Sequence, residues 1–470
     1  GTYGGGINLY DRKTERLTRW RRQPANLNSL VNDDVTAIYA DRQGDIWIGT
    51  NAGLDRYDPQ RGDFRHYHTE PDNPRSLSNN QIRALAEDQD GSIWIATFMG
   101  GVNRYDRQTD QFTRYQHDPQ NPESLSENSC WSVLVTRNNG VWVSTQATGL
   151  NKYDRVRDAF TRYPAGQANF VIYEDRLGTI WAGGTTGLYR YDAQKDGFVA
   201  YQNDPRNPDS LINNFVQTIN EDRAGNLWIG TASGLDRFDR EQGAFRHYSV
   251  RQGLFDNNIM GMLPDDADGL WLSTPKGLSH FNATANTARN YEMEGLNRMA
   301  YCQDHSGKLF FGSQRGLISF LPQDIVDNPY SPPIVLTAFK KFNADAPLQQ
   351  AVSTLRTLAL TYQDRFFAFE FAALDYSDSA KNQYKYMLEG FDKEWVDVGN
   401  TRRYASYTNL NGGDYVFKVI GSNNDGLWNT EGIAVRIHVT PPFWKTWWFQ
   451  SALVALLMGL VVGGYRWRVS

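Results

Sequence analysis

Cysteine is almost missing from this chain: Cys130 and Cys302 are the only two in 470 residues. Two thiols cannot build a disulfide framework, and neither lies in a spacing that binds zinc, so both are expected to be free and buried. Histidine is scarce too. The seven histidines, His66, His68, His117, His247, His280, His305 and His438, are scattered without ligand spacing, so neither a metal nor a cofactor is expected. A G-x-S-x-G elbow and a phosphate loop are both lacking. Positive charge is not in excess: 48 Lys and Arg stand against 53 Asp and Glu, a formal net charge of −5, with no basic stripe. That balance argues against nucleic acid as a partner. The opening GTYGGGINLY has neither the charged nor the apolar region of a signal peptide.

Turn formers and aromatics are plentiful, with 41 Gly, 25 Tyr, 24 Phe and 14 Trp. That composition suits many short strands joined by tight turns, and the expected class is all-β. Internal periodicity decides the architecture. The segment DRQGDIWIGT at residues 41–50 recurs in related form at 88–97, 137–145, 175–185, 222–231, 266–274 and 304–313. Its turn glycines, Gly44, Gly91, Gly140, Gly178, Gly225, Gly269 and Gly307, have the spacing of four-stranded propeller blades. The Asp can bond the turn backbone and the Gly accepts positive φ, so D-x-x-G reads as a hairpin between the first and second strands. Trp47, Trp94, Trp142, Trp181, Trp228 and Trp271, with Phe310 in the last unit, should fill the wedges between blades.

Residues 1–322 therefore read as a seven-bladed propeller. The last unit stops at Phe320 without a fourth strand, so Leu17–Trp20 is expected to close it as its outer strand. An eight-bladed ring is the alternative. Because the chain starts inside a repeat, a second propeller is expected ahead of residue 1. The repeated D-x-x-G-x-[IL]-W-[IV]-G-T followed by G-L-x-R-Y-D resembles the two-component regulator propeller repeats of bacterial sensor proteins.

Residues 323–332 read as a linker. From 333 to 440, short apolar strands alternate with turns, at Ile334–Phe339, Phe366–Phe371, Tyr384–Leu388, Trp395–Val398, Asp414–Ile420 and Ile433–Val439, the pattern of an immunoglobulin or fibronectin-like β-sandwich. The stretches Tyr384–Trp395 and Tyr404–Tyr415 resemble the tyrosine-rich Y_Y_Y domain that follows regulator propellers, with the tyrosines expected in the core. After a juxtamembrane segment, 441–446, the uncharged apolar run 447–465 is long enough to cross a bilayer as one helix. Trp444, Trp447 and Trp448 flank one end and Tyr465 and Trp467 the other, with Arg466 and Arg468 beyond. The positive-inside rule then puts 466–470 in the cytoplasm and 1–440 in the periplasm of a bacterial inner membrane protein.

The resemblance implies the input region of a membrane-bound sensor whose output domain, a histidine kinase or a diguanylate cyclase, lies beyond residue 470. Its implied partners are an unknown periplasmic solute, by analogy a carbohydrate, and a second copy of the chain in a homodimer. Alternation of antiparallel strands puts the second-to-third turns and the blade connections on one face, where loop lengths vary. The candidate ligand residues on it are Asn79, Asn80, Phe98, Met99, Trp131, Phe170, Asn214, Phe215, Lys276, Arg298 and Arg315. Amides and aromatics suit a sugar, and the cations suit an acidic group. The recurrent asparagines have a second reading as turn caps. No catalytic residue is expected. A propeller enzyme such as a polysaccharide lyase or quinoprotein, and a protein-docking scaffold without a small ligand, are the rival functions.

Overall fold

The computed structural model describes residues 4–11, 16–265, 269–304, 306–313, 316–325, 328–342, 344–348 and 350–469. The chain divides into two compact units, residues 1–325 and 326–470. The first is a β-propeller. Each blade is an antiparallel meander, as in the strands Ile82–Glu87, Ile93–Thr97, Gly101–Asp106 and Gln111–Tyr115. Six four-stranded sheets of this kind run from Val35 to Glu292, and we number them as blades 1 to 6 in chain order. Leu296–Gln303, Leu309–Ser313 and Gly316–Phe320 form a three-stranded sheet.

The strand ahead of blade 1 differs from expectation. Arg16–Trp20, which contains the segment assigned to the last blade, pairs antiparallel with Ile7–Asp11, Trp20 opposite Ile7. The two form a two-stranded sheet of their own. A strand that finds its partner a few residues away closes a much smaller loop than one that must return from the far end of the ring.

The repeat has a chemical reason. In blade 2, Asp88 accepts the turn N–H groups of Asp90 and Ser92 on one oxygen, while its other oxygen accepts the Trp94 Nε1–H at 2.9 Å. Gly91 sits at φ +82°. Trp47, Trp181 and Trp228 donate in the same way to Asp41, Asp175 and Asp222, at 2.7 to 2.8 Å. The turn aspartate therefore closes the hairpin and also satisfies the one polar atom of the buried indole. Blade 6 departs from the pattern: Asp265 bonds the His280 ring at 2.5 Å, and Trp271 Nε1 has no partner among the described residues. Of the cysteines, Cys130 is buried as expected, but Cys302 is exposed. It stands opposite Phe310 in the regular part of the last sheet, one pair from the end that Gln303 and Leu309 form.

The P-x-N-x-x-S-L connections are tied-down corners. In each of the four copies the leucine, Leu30, Leu77, Leu125 or Leu211, is at most 1% exposed. The serine hydroxyl bonds back across the turn, as Ser76 Oγ does to the Asn73 carbonyl at 3.0 Å. Outer-strand residues then clamp the corner. In blade 1, His66 places Nδ1 against Asp55 at 2.6 Å and Nε2 against the Leu27 carbonyl at 2.7 Å. His247 in blade 5 repeats this with Asp236 and the Pro208 carbonyl, at 2.6 and 2.7 Å. Blades 2 and 3 use arginine at the same position and change the facing residue with it: Asn103 stands opposite Arg114, and Asn151 opposite Arg162. A carboxylate faces the titratable cation, and a neutral amide faces the permanent one.

Hydrogen bonding to the aspartates holds both imidazoles above the ordinary histidine pKa, against the opposing effect of burial. A histidine pKa raised on folding contributes stability that is full below the unfolded value, about 6.5, and is lost as pH rises through the folded value. The propeller should therefore melt at a higher temperature near about pH 6 than near about pH 8. His66→Ala with His247→Ala should remove most of that difference. Thermal denaturation across this range checks it, and equal pH dependence in both proteins would refute the role of the clamps.

In the second unit, the strands Ile334–Lys341, Phe366–Ala373 and Tyr404–Thr408, with the short Ala344–Asp345, form one sheet. Thr357–Thr361, Trp428–Thr440, Gly413–Ser422, Tyr384–Glu389 and Val396–Gly399 form the other. Between them lies a core that includes Phe367, Phe369, Phe371, Tyr384, Tyr386, Tyr407 and Phe417. Tyr384, Tyr386 and Tyr407 are thus packed inside, with the Tyr384 hydroxyl accepting the Ala373 N–H at 3.1 Å, whereas Tyr404, also expected in the core, is 47% exposed. A single helix, Trp447–Val469, follows, and it is long and apolar enough to cross a membrane.

Candidate functional site

The first strand of a blade carries a recurring irregularity. Its register against the second strand shifts between Val35 and Ala37, Ile82 and Ala84, Cys130 and Ser132, and Val216 and Thr218. The residues at these bulges are Thr36, Arg83, Trp131 and Gln217. A bulge re-aims a side chain out of the strict alternation of a strand, and bulges cluster beside functional sites. Here they bring side chains of neighbouring blades together.

Phe98, from the second-to-third turn of blade 2, meets Trp131 of blade 3 with centroids 6.4 Å apart. Trp131 meets Phe170 of blade 4 at 5.3 Å, and Phe170 meets Phe215 of blade 5 at 5.7 Å. All three contacts are edge-to-face, with planes 63° to 84° apart, the arrangement the ring quadrupoles favour. A guanidinium sits at each end. Arg83 lies 5.1 Å from the Phe98 centroid and 5.5 Å from that of Trp131, and Arg298 lies 4.9 Å from Phe215 and 5.9 Å from Phe170. The four rings are half-buried, and Arg298 is exposed. The result is a row of aromatic edges capped by two cations.

Two buried polar atoms have no hydrogen-bond partner among the described residues: the donor Trp131 Nε1 in this row, and the acceptor Oε1 of Gln217, two residues after Phe215 and only 1% exposed. Gln217 uses its amide N–H on Asn258 at 2.5 Å. Buried polar atoms are nearly always paired, so these two are exceptions that a bound group could satisfy. Nearby, Thr218 and Tyr301 join hydroxyls at 2.8 Å, and burial raises the Tyr301 phenol above its ordinary pKa.

Five of the residues expected from sequence, Phe98, Trp131, Phe170, Phe215 and Arg298, thus come together. The asparagines take their other reading. Asn79 accepts the Gln81 N–H at 2.9 Å, Asn80 the Thr69 N–H at 2.8 Å and Asn214 the Asn203 N–H at 2.7 Å. Each therefore spends its carbonyl on backbone at a strand start. Met99 is 65% exposed in a left-handed turn conformation, φ +65°. Lys276 pairs with Asp256 at 3.5 Å, and Arg315 lies outside the described residues. Arg83 and Gln217 were not foreseen, because a bulge changes which side of a strand a residue faces.

The His–Asp pairs of the corners are poor general bases. His66 and His247 have both ring nitrogens engaged, one by a carboxylate and one by a backbone carbonyl, leaving no nitrogen to exchange a proton with a substrate. Among the described residues no group of three or more His, Cys, Asp and Glu side chains is arranged to hold a metal ion.

The profile of the two component regulator propeller matches residues 29–52, 76–99 and 210–233, and that of the Y_Y_Y domain matches residues 375–440. The chain is 34% identical over 157 residues to "Histidine kinase P4" of Formosa agariphila. That match covers 32% of the chain and 11% of the relative's length. Two solved structures from B. thetaiotaomicron also align with it. One is the extracellular domain of a putative one component system, with 22% identity, 94% of this chain and 67% of that one covered, and a TM-score of 0.49. The other is the extracellular domain of a putative hybrid two component system, with 19% identity, coverage of 94% and 89%, and a TM-score of 0.37. The propeller thus carries two component regulator propeller repeats, and the tyrosine-rich sandwich behind it carries a Y_Y_Y domain.

Proposed function

We propose that the chain is the periplasmic sensory region of a single-span signalling protein of the bacterial inner membrane. A solute docks on the propeller along the row from Phe98 to Phe215, and the sandwich relays the event to the helix and to a histidine kinase beyond it. The observation that carries this reading is the aromatic row with a guanidinium at each end, an unpaired donor in it and an unpaired acceptor two residues after Phe215. Aromatic faces and edges give area for a sugar ring, the two free polar atoms give direction, and Arg83 and Arg298 favour a solute with acidic groups.

A ligand can shift the output only by binding two states differently. One helix per chain leaves a change between two chains as the simplest such pair of states, so the receptor is proposed to work as a homodimer. Small residues at Ser451, Ala455, Gly459 and Gly463 give the helix a side on which a second helix can approach.

Full-length chain in lipid nanodiscs, titrated calorimetrically with neutral oligosaccharides, uronate oligosaccharides and small organic acids, tests the reading. Saturable heat from one class supports it. Turnover of any of these would favour a propeller enzyme, and silence across all three would favour a docking scaffold.

A further inference from the structure

The sandwich ends where the helix begins, and the junction is not a loose tether. Tyr362, in the turn after Thr357–Thr361, donates its backbone N–H to the Thr440 carbonyl at 3.1 Å and sets its ring 5.3 Å from that of Trp444. In the neighbouring turn, Gly412 lies so close to Pro441 that a Cβ there would come within 2.5 Å of the proline ring. Both turns are therefore held beside the segment that leads into the helix.

The side chains at this end are unusual for a surface turned to water. Phe443, Trp444, Trp447 and Trp448 are 46% to 80% exposed, a concentration of large apolar area that water does not favour. Arg365 and Lys445 are exposed among them, and neither side chain has an ion-pair or hydrogen-bond partner among the described residues. Arg365 also lines a polar cleft of about 260 Å³ with Tyr362, Asp364, Asn409 and Leu410, floored by the buried Phe367. Indoles and long cations at the mouth of an apolar helix are the groups that settle at the level of lipid headgroups, rings among the glycerols and charges on the phosphates.

We propose that this end of the sandwich is itself a membrane-binding surface. Its two turns rest on the outer leaflet of the membrane that the helix crosses, with Arg365 and Lys445 on lipid phosphates and a headgroup in the Arg365 cleft. The sandwich then reports its orientation to the bilayer directly, and a tilt or rotation of it must move the helix. The inference rests on the helix spanning the membrane.

The test uses the full chain with Cys302→Ser, which leaves only the buried Cys130, in nanodiscs of phosphatidylcholine and phosphatidylglycerol. A fluorophore on Asn411→Cys, in the turn beside Gly412, is read against lipids spin-labelled at the headgroup. A separate label on Leu457→Cys, in mid-helix, is read against lipids labelled in the acyl chain and reports spanning alone. The expected result is quenching at both positions. Arg365→Glu with Lys445→Glu should reduce the Asn411→Cys signal by about fivefold or more, since each cation near an anionic surface is worth about that factor, and leave the Leu457→Cys signal unchanged. Quenching at Leu457→Cys without quenching at Asn411→Cys overturns the docking surface. Strong quenching at Asn411→Cys that survives the double substitution overturns the role of the cations, and loss at Leu457→Cys overturns the spanning reading beneath both.

Discussion

Trp94→Ala should destabilise the propeller by about 3 to 5 kcal/mol, the cost of emptying a fully buried indole site. Trp94 has no exposed surface, packs against Val133, Val143 and Phe160 in one cluster, and stacks on Tyr115 with planes 16° apart. The more informative change is Trp94→Phe. It keeps most of the packing and removes only the N–H that Asp88 accepts, so the expected loss is about 1 to 3 kcal/mol, the cost of depriving a buried acceptor of its donor. Arg155, 3.1 Å from the same Asp88 oxygen, moderates it. Trp271→Phe is the control that nature supplies. Its indole is equally buried, but among the described residues its N–H has no partner, and Asp265 is bonded to His280 instead. That substitution should cost measurably less than Trp94→Phe. Urea titration followed by tryptophan fluorescence and circular dichroism ranks the three, and equal losses for the two phenylalanine variants would show that the indole–aspartate bond contributes little.

That contrast explains why the fold was so legible. In blades 1, 2, 4 and 5 the D-x-x-G and the W are not independent marks of a strand and a turn but two ends of one hydrogen bond, so they recur together and at fixed spacing. The sandwich was legible where strands are long and apolar. Three pieces escaped: Thr357–Thr361, Tyr404–Thr408 and Ala344–Asp345. The first alternates leucine with threonine and alanine but pairs in parallel with Arg436–Thr440, a partner nearly eighty residues away that no local turn announces. The strand at Tyr404 was visible only as tyrosines.

The site was half legible for a different reason. Aromatics attract attention in any sequence, and Phe98, Trp131, Phe170 and Phe215 stood out on that ground. Arg83 and Gln217 look like ordinary surface residues of an alternating strand. The signal that could have found them is positional. Counting back five residues from the turn Asp of blades 1, 2, 4, 5 and 6, or from Thr136 in blade 3, gives one column: Thr36, Arg83, Trp131, Phe170, Gln217 and Met260. A column that holds threonine, arginine, tryptophan, phenylalanine, glutamine and methionine in otherwise similar repeats is not maintained by packing, which would demand similar shapes. The bulge at four of these positions is the physical reason the column is free to vary. The asparagines behave in the opposite way, recurring with little change because each caps a backbone N–H.

The second large effect follows from that distinction. Trp131→Ala for whichever solute class binds, and Arg298→Ala for an acidic solute, should each weaken affinity by about tenfold or more, or about 1.4 kcal/mol, above the ~1 kcal/mol that fewer than a third of interface residues exceed. Trp131 sits mid-row and touches Phe98, Phe170 and Arg83, so its loss removes one ring and frees two others. Arg298 bridges Phe170 and Phe215 while exposed to solvent, so its loss should fall hardest on acidic solutes and lightly on neutral ones. Gln217→Met should weaken binding, and because it also removes the amide N–H that Asn258 accepts from this buried side chain, it should lower the melting temperature as well. Asn80→Ala is the counterpart: it should lower the melting temperature by unpairing the Thr69 N–H and leave affinity unchanged, and Lys276→Ala, tied to Asp256, should leave it unchanged as well. Calorimetric titration of the five variants alongside their melting curves separates the two groups. Affinity that follows Asn80 or Lys276 and ignores Trp131 and Arg298 would move the site away from the aromatic row.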